Sequence, residues 1–274
     1  MDPRFAALAR QPDATINLAE GALLIAAEHY PDLDVPAWLS VIDELGTRAL
    51  ARMPENADWT LQLSILNHLL FREEGFTGAE VDEFDPRDSF LNDVLTRKSG
   101  IAISLSLVFM EVGRRAGMDI QGVSFPGHFL VKMVVEDGDV VIDPYNGGIP
   151  LTLDQLQARL NMVFPEPPRP ALQEVLHAAS NKQILARMLR NLKTWYLHQS
   201  EWLLALSALE RILLLEPDNL HELRERGEVY WQLECFRPAY ADLSRYLTLA
   251  PEDEESESLR AKLVELQQLA ARVN

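Results

Sequence analysis

The chain has 274 residues, with 25 Lys or Arg against 42 Asp or Glu and a formal net charge of −17. Its 47% hydrophobic and 24% charged residues are ordinary globular values, which excludes a disordered or collagen-like chain, and the length fits about two domains. A field of that sign repels phosphate backbones and anionic lipid, so neither nucleic acid nor a membrane is an expected partner.

Asp2, Pro12 and Asp13 stand where a secretory leader needs an apolar run. No apolar run nears the roughly 18–20 residues that span a bilayer. A cytoplasmic protein is expected. The single cysteine, Cys235, excludes an intrachain disulfide and any multi-cysteine metal site. Residues 1 to about 95 read as helix. Leu18, Ala22 and Ile25 repeat at helical spacing in 16–30, Leu39, Ile42 and Leu45 in 35–53, and 59–71 is a third such segment.

The period then changes. Residues 99–118 form a strongly apolar helix entered through Gly100 and ended at Gly117. Three β-type runs follow, at 119–125, 128–136 and 139–143, punctuated by Gly122, Pro126–Gly127 and Asp137–Gly138. One helix with about three antiparallel strands is the simplest reading, with Asp137–Gly138 at a hairpin turn. Four prolines within 165–170 mark a stiff linker. The expected division is therefore 1–164, a proline-rich linker at 165–172, and 173–274.

Beyond the linker the chain repeats at an offset of 34. Ala205/Ala239, Leu209/Leu243, Arg211/Arg245, Leu213/Leu247, Leu215/Leu249 and Pro217/Pro251 are identical pairs. That period, with a small residue opening the second helix and proline closing it, resembles the tetratricopeptide repeat. The units would be about 186–219 and 220–253, with a capping helix at 258–273. Gly227 stands at the first-helix glycine of the second unit, and Lys193 replaces it in the first. Positions that line the concave face of such repeats would be Arg187, Arg190, Thr194, His198, His221, Arg224, Glu228 and Trp231. Arginines there suit a clamp for an acidic protein or peptide, since guanidinium pairs bidentately with carboxylate. The alternative is that Arg187 and Arg190 pair with the acidic N-terminal part, or are solvated.

In the middle region His128 opens one strand and Asp143 closes the next, close enough for a carboxylate to orient an imidazole. Such a pair asks for a nucleophile at a helix N-terminus, and the helix after Gly100 is in the right place. The order Gly100, Gly117–Met118, His128 and Asp143–Pro144 resembles the transglutaminase-like (papain-related) superfamily, in which a cysteine would stand where this chain has Ala102. Of the serines, Ser104 faces away, Ser106 lies a turn deeper, and Ser99 precedes the helix and could approach His128.

Taken whole, the chain is similar to the bacterial SirB-type family, on the segments INLAEGALLIAAEHYPDLDV, DPRDSFLNDVLTRKSGIAISLSLVFMEVGRRAG, GVSFPGHFLV, IDPYNGG and ASNKQILARMLRNLK. That family joins a transglutaminase-like core to C-terminal tetratricopeptide repeats. It generally has Gly-Ile-Pro-Ile at the cysteine site, where this chain has Ala102 for the proline, and Asp88 where asparagine is usual. The resemblance implies an α+β, predominantly α fold. It also implies a non-catalytic adaptor or regulator that binds protein or peptide through the repeats and a vestigial pocket of Asp85, Asn92, Ser99, Tyr145 and Asn146 around His128 and Asp143. The other reading is an amide hydrolase or acyltransferase using a serine with that pair. No metal site or cofactor is expected: the histidines show no i, i+4 pairing, and no phosphate-binding glycine motif is present.

Overall fold

The structure is a computed structural model that describes residues 2–80, 85–136, 138–251 and 256–272. Helix α1 (Pro3–Ala9) is followed by α2 (Leu18–Ala26), α3 (Val35–Leu50) and α4 (Trp59–Asn67). Each of the last three starts on a side chain that accepts from the backbone three residues on: Asn17 from Glu20, Asp34 from Ala37, Asp58 from Leu61. The expected helix over 59–71 ends earlier, because from His68 to Glu73 the chain widens into a π-helical turn. A two-residue strand β1 (Thr77–Gly78), helix α5 (Leu91–Arg97) and strand β2 (Ser99–Gly100) follow, with β1 and β2 paired in parallel.

Helix α6 (Ala102–Arg115) is buried at every position from Ile103 to Gly113. An all-round apolar helix has to lie inside its domain. It packs against α2, α3 and the sheet that follows. That sheet has four antiparallel strands rather than three, in the order β3 (Ile120–Val123), β4 (Leu130–Val135), β5 (Gly138–Asp143) and β6 (Ile149–Pro150). Asp137, expected at the β4–β5 turn, lies outside the described residues.

Helix α7 (Leu153–Val163) opens with a reciprocal capping box between Thr152 and Gln155. Its Leu156 and Leu160 bury against Val123, Phe125, Leu130 and Val141. The short helix α8 (Leu172–Val175) adds Leu172 and Val175 to the same core, and Ala178 bridges to Val123 of β3. Both sides of the proline-rich 165–172 are therefore tied to one sheet. The edge between the two compact units falls later, at 184/185, inside helix α9 (Asn181–His198). One unit is Gln11–Ile184; the other joins Pro3–Arg10 to Leu185–Asn274.

The second unit is built from the rest of α9 with α10 (Trp202–Leu215), α11 (Leu220–Gln232), α12 (Phe236–Leu249) and α13 (Ser256–Arg272). The pairs α9/α10 and α11/α12 are the two expected repeats, and α13 stands where the cap was expected; residue 273 lies outside the described residues. Gly227 marks the close crossing of α11 and α12, since a Cβ there would lie 2.7 Å from Leu243 Cγ. Leu213, Leu223, Ala239, Leu243, Tyr246, Leu259 and Leu266 form the core of this end.

Candidate functional site

Strand pairing that sets Val131 opposite Ile142 brings Asp143 level with Leu130, two residues beyond His128. The His128 Nε2 and Asp143 Oδ1 are 3.0 Å apart. The other carboxylate oxygen of Asp143 accepts from Asn146 Nδ2 and from the Arg159 guanidinium, each at 2.8 Å. Asp143 has no exposed surface. Burial alone pushes its pKa up, but hydrogen bonds from His128, Asn146 and Arg159, with the charge of His128, bring it down to about 2. The group is a buried, fully engaged carboxylate.

The Tyr145 ring stands edge-on to His128, with centroids 5.7 Å apart at 87°. Behind it, a Cβ on Gly78 would sit 2.7 Å from the Tyr145 ring, and the Tyr145 hydroxyl donates to the Ala79 carbonyl. Since β1 pairs with β2, this stacking ties the histidine to the Ser99–Gly100 strand that leads into α6. Helix α6 itself packs on the Pro144–Asn146 turn and on β4. Its first residue is the half-buried Ala102, and its N-cap Ile101 has no side chain to cap the free amides.

The structure thus brings together His128, Asp143, Tyr145 and Asn146. Ser99 lies on the adjoining strand, and among the described residues its hydroxyl makes no hydrogen bond. Ser104 donates to the Asp88 and Ile101 carbonyls, and Ser106 is fully buried. Asp85 turns instead to Arg87 and Arg97, and its pKa is lowered chiefly by the Arg87 hydrogen bond. Asp88 ion-pairs with Arg97 at 3.0 Å, but burial dominates and raises its pKa. Asn92 is buried in α5, and its side-chain carbonyl lacks a hydrogen-bond partner. Arg159 is the member that sequence reading missed. The available signal was Leu153, Leu156 and Leu160 following the Thr152–Gln155 cap, a helical stripe that carries Arg159.

In the repeats, Arg190 differs from what the concave-face pattern suggested. Its guanidinium pairs with Glu216 and, at 2.7 Å, with Glu222, so its charge is satisfied within its own unit rather than offered to a partner or to the N-terminal part. Lys193, at the degenerate glycine position, is buried between Glu222, at 2.8 Å, and Glu225. Arg187 is half-buried and its pKa is lowered by burial, with Arg190 nearby adding to the effect. Arg224 is half-buried on α11, and His221 is exposed one turn earlier. Among the described residues His221, Glu222 and Glu225 are the trio of metal-ligand type that converges, but the Lys193 ammonium already lies on both carboxylates. Trp231 carries the Lys262 ammonium over its ring. No helix among the described residues is long and apolar enough to cross a membrane.

Comparison with known proteins agrees with this architecture. Residues 36–190 match the transglutaminase-like superfamily, and residues 192–263 match the tetratricopeptide repeat. A UPF0162 protein of Xylella fastidiosa strain 9a5c is 39% identical over 96% of this chain and 95% of its own length. The UPF0162 protein PA3419 of Pseudomonas aeruginosa is 35% identical over 97% of both chains. Protein SirB1 of Salmonella typhimurium is 30% identical over 88% of this chain and 90% of its own. Among solved structures, that of menin covers 88% of this chain and 68% of its own at a TM-score of 0.44 and 11% identity, too distant a likeness to carry function. The resemblance read from the sequence is borne out: the chain belongs to the transglutaminase-like superfamily, in the family of UPF0162 and SirB1 proteins, with tetratricopeptide repeats in its C-terminal part.

Proposed function

We propose that this protein is a bacterial cytoplasmic adaptor or regulator that binds protein or peptide without turning it over. The observation that carries this reading is an ordered His128–Asp143 pair beside a helix whose first residue is Ala102. In a thiol hydrolase the imidazole would deprotonate a cysteine at the helix start. A methyl group there has no proton to give and no lone pair to attack with. Ser99, the serine that precedes the helix, is not hydrogen-bonded among the described residues as a nucleophile to a base would be. The contacts that hold Asp143 to His128, Asn146 and Arg159 remain ordered without that thiol, which supports a retained role other than turnover.

Ala102→Cys tests the reading. A thiol there would stand at a helix N-terminus, and a His128 within reach of it would lower its pKa further. Iodoacetamide should then alkylate it faster than Cys235 at mildly acidic pH, and His128→Ala should remove the advantage. The unaltered chain should release no ammonia from glutamine donors, cleave no peptide and take no serine-directed fluorophosphonate label. Hydrolysis by the unaltered chain that vanishes in His128→Ala would overturn the proposal.

A further inference from the structure

The repeat face offers less free positive charge than its arginines suggest. Arg190 is held by Glu216 and Glu222, and Lys193 by Glu222 and Glu225. The far end of α11 carries a different arrangement. Glu228 and Trp231 are three residues apart, hence side by side on the helix. With Gln232 and the Lys262 of α13 they line a cleft of about 410 Å³. The Lys262 ammonium lies 5.1 Å from the Trp231 ring centroid. Glu228 makes no ion pair among the described residues.

An indole face beside an unpaired carboxylate attracts cations on two counts. The ring presents its negative π surface, and the carboxylate supplies a full charge. The chain already seats a cation there, its own Lys262, which is exposed on a flexible stem and can swing into solvent. An anionic side chain in the same place would face both the π surface and Glu228, with Lys262 alone in its favour. The net charge of −17 also draws basic rather than acidic segments toward the molecule.

We propose that the α11–α13 cleft receives an arginine or lysine side chain of a protein partner, over Trp231 and against Glu228, and that Lys262 is the internal placeholder it displaces. This rests on the reading of the repeat unit as a protein-binding one, and it names the chemistry of the partner. Arginine is the better fit, because a planar guanidinium stacks on indole while its N–H groups reach a carboxylate at the ring edge.

The test uses the full chain labelled with 5-fluorotryptophan, with the Trp231 resonance assigned from Trp231→Phe. The probes are acetylated, amidated Gly-Arg-Gly and its citrulline and glutamate counterparts; citrulline keeps the shape of arginine and removes the charge. The Trp231 resonance should move with the arginine probe and far less with the other two. Lys262→Ala should tighten the arginine probe roughly three- to ten-fold, and Glu228→Gln should weaken it by a similar factor. Equal response to citrulline, preference for glutamate, or a Trp231 resonance that no probe moves would overturn the proposal. Absence of turnover together with any of those results would leave the adaptor reading standing and remove this one. Turnover lost in His128→Ala, with the arginine-selective shift present, would do the reverse.

Discussion

Burying the Asp143 carboxylate pushes its pKa up, and its hydrogen bonds from His128, Asn146 and Arg159 more than reverse that, to about 2. The sign of the pH dependence follows. A carboxylate whose folded pKa lies below its ordinary value of 3.8 adds stability that is complete above that value. The contribution is lost as pH falls from there toward 2. The depression corresponds to about 2 kcal/mol. Asp143→Asn cannot titrate, so the unfolding free energy of the unaltered chain minus that of this variant should be flat near neutral pH. It should shrink by about that amount between roughly pH 5 and 2. Denaturant titrations of both proteins across that range check it. A difference that stays constant would mean that the His128, Asn146 and Arg159 contacts do not favour the charged form.

At the scale of elements, the 34-residue register makes a sharp claim at Gly227. Alanine in mid-helix ordinarily stabilises by about 1 kcal/mol over glycine. Here the added Cβ would meet Leu243 Cγ at 2.7 Å and Cδ2 at 2.8 Å, and Asp242 Cβ at 3.3 Å. Overpacking of that kind costs about 1–3 kcal/mol. Gly227→Ala should therefore lower stability by about 1 kcal/mol, read as a lower denaturant midpoint with an unchanged slope. A raised midpoint would show that α11 and α12 are not pressed together at this residue.

This register was legible because repeats write themselves twice. The identical pairs from Ala205/Ala239 to Pro217/Pro251 fix helix ends and contact positions from composition alone. The His128–Asp143 pair was legible for a similar reason, since short strands leave few registers to choose from. What stayed hidden depends on long-range packing. Nothing local tells that Thr77–Gly78 pairs with Ser99–Gly100, that the helix from Trp59 widens at His68, or that Ile149–Pro150 adds a fourth strand. Arg190 shows the same limit for charge: its spacing marks an exposed helix face, while Glu216 and Glu222, which neutralise it, are 26 and 32 residues away in sequence.

For the molecule as a whole, the least expected feature is that the chain's first helix belongs with its last ones. Pro3–Arg10 clusters with Leu185–Asn274, and α1 packs on α10. Phe5 has no exposed surface, and Leu8 and Ala9 are nearly as buried. The Phe5 ring lies 5.3 Å from the guanidinium carbon of Arg211, a residue that is itself only 1% exposed. A buried guanidinium is costly unless its charge is compensated, and the ring face contributes to that compensation. Phe5→Ala then removes two things at once, a fully buried aromatic and the π surface over Arg211. Deleting a buried phenylalanine costs about 3–5 kcal/mol, so the loss should be in that range or above. Hydrogen exchange locates it: amides of α10 should lose protection, while those of β4 and β5, in the other compact unit, should change far less. Equal loss in the sheet would show that the two units unfold as one, and unchanged protection in α10 would show that the repeat core stands without its N-terminal helix.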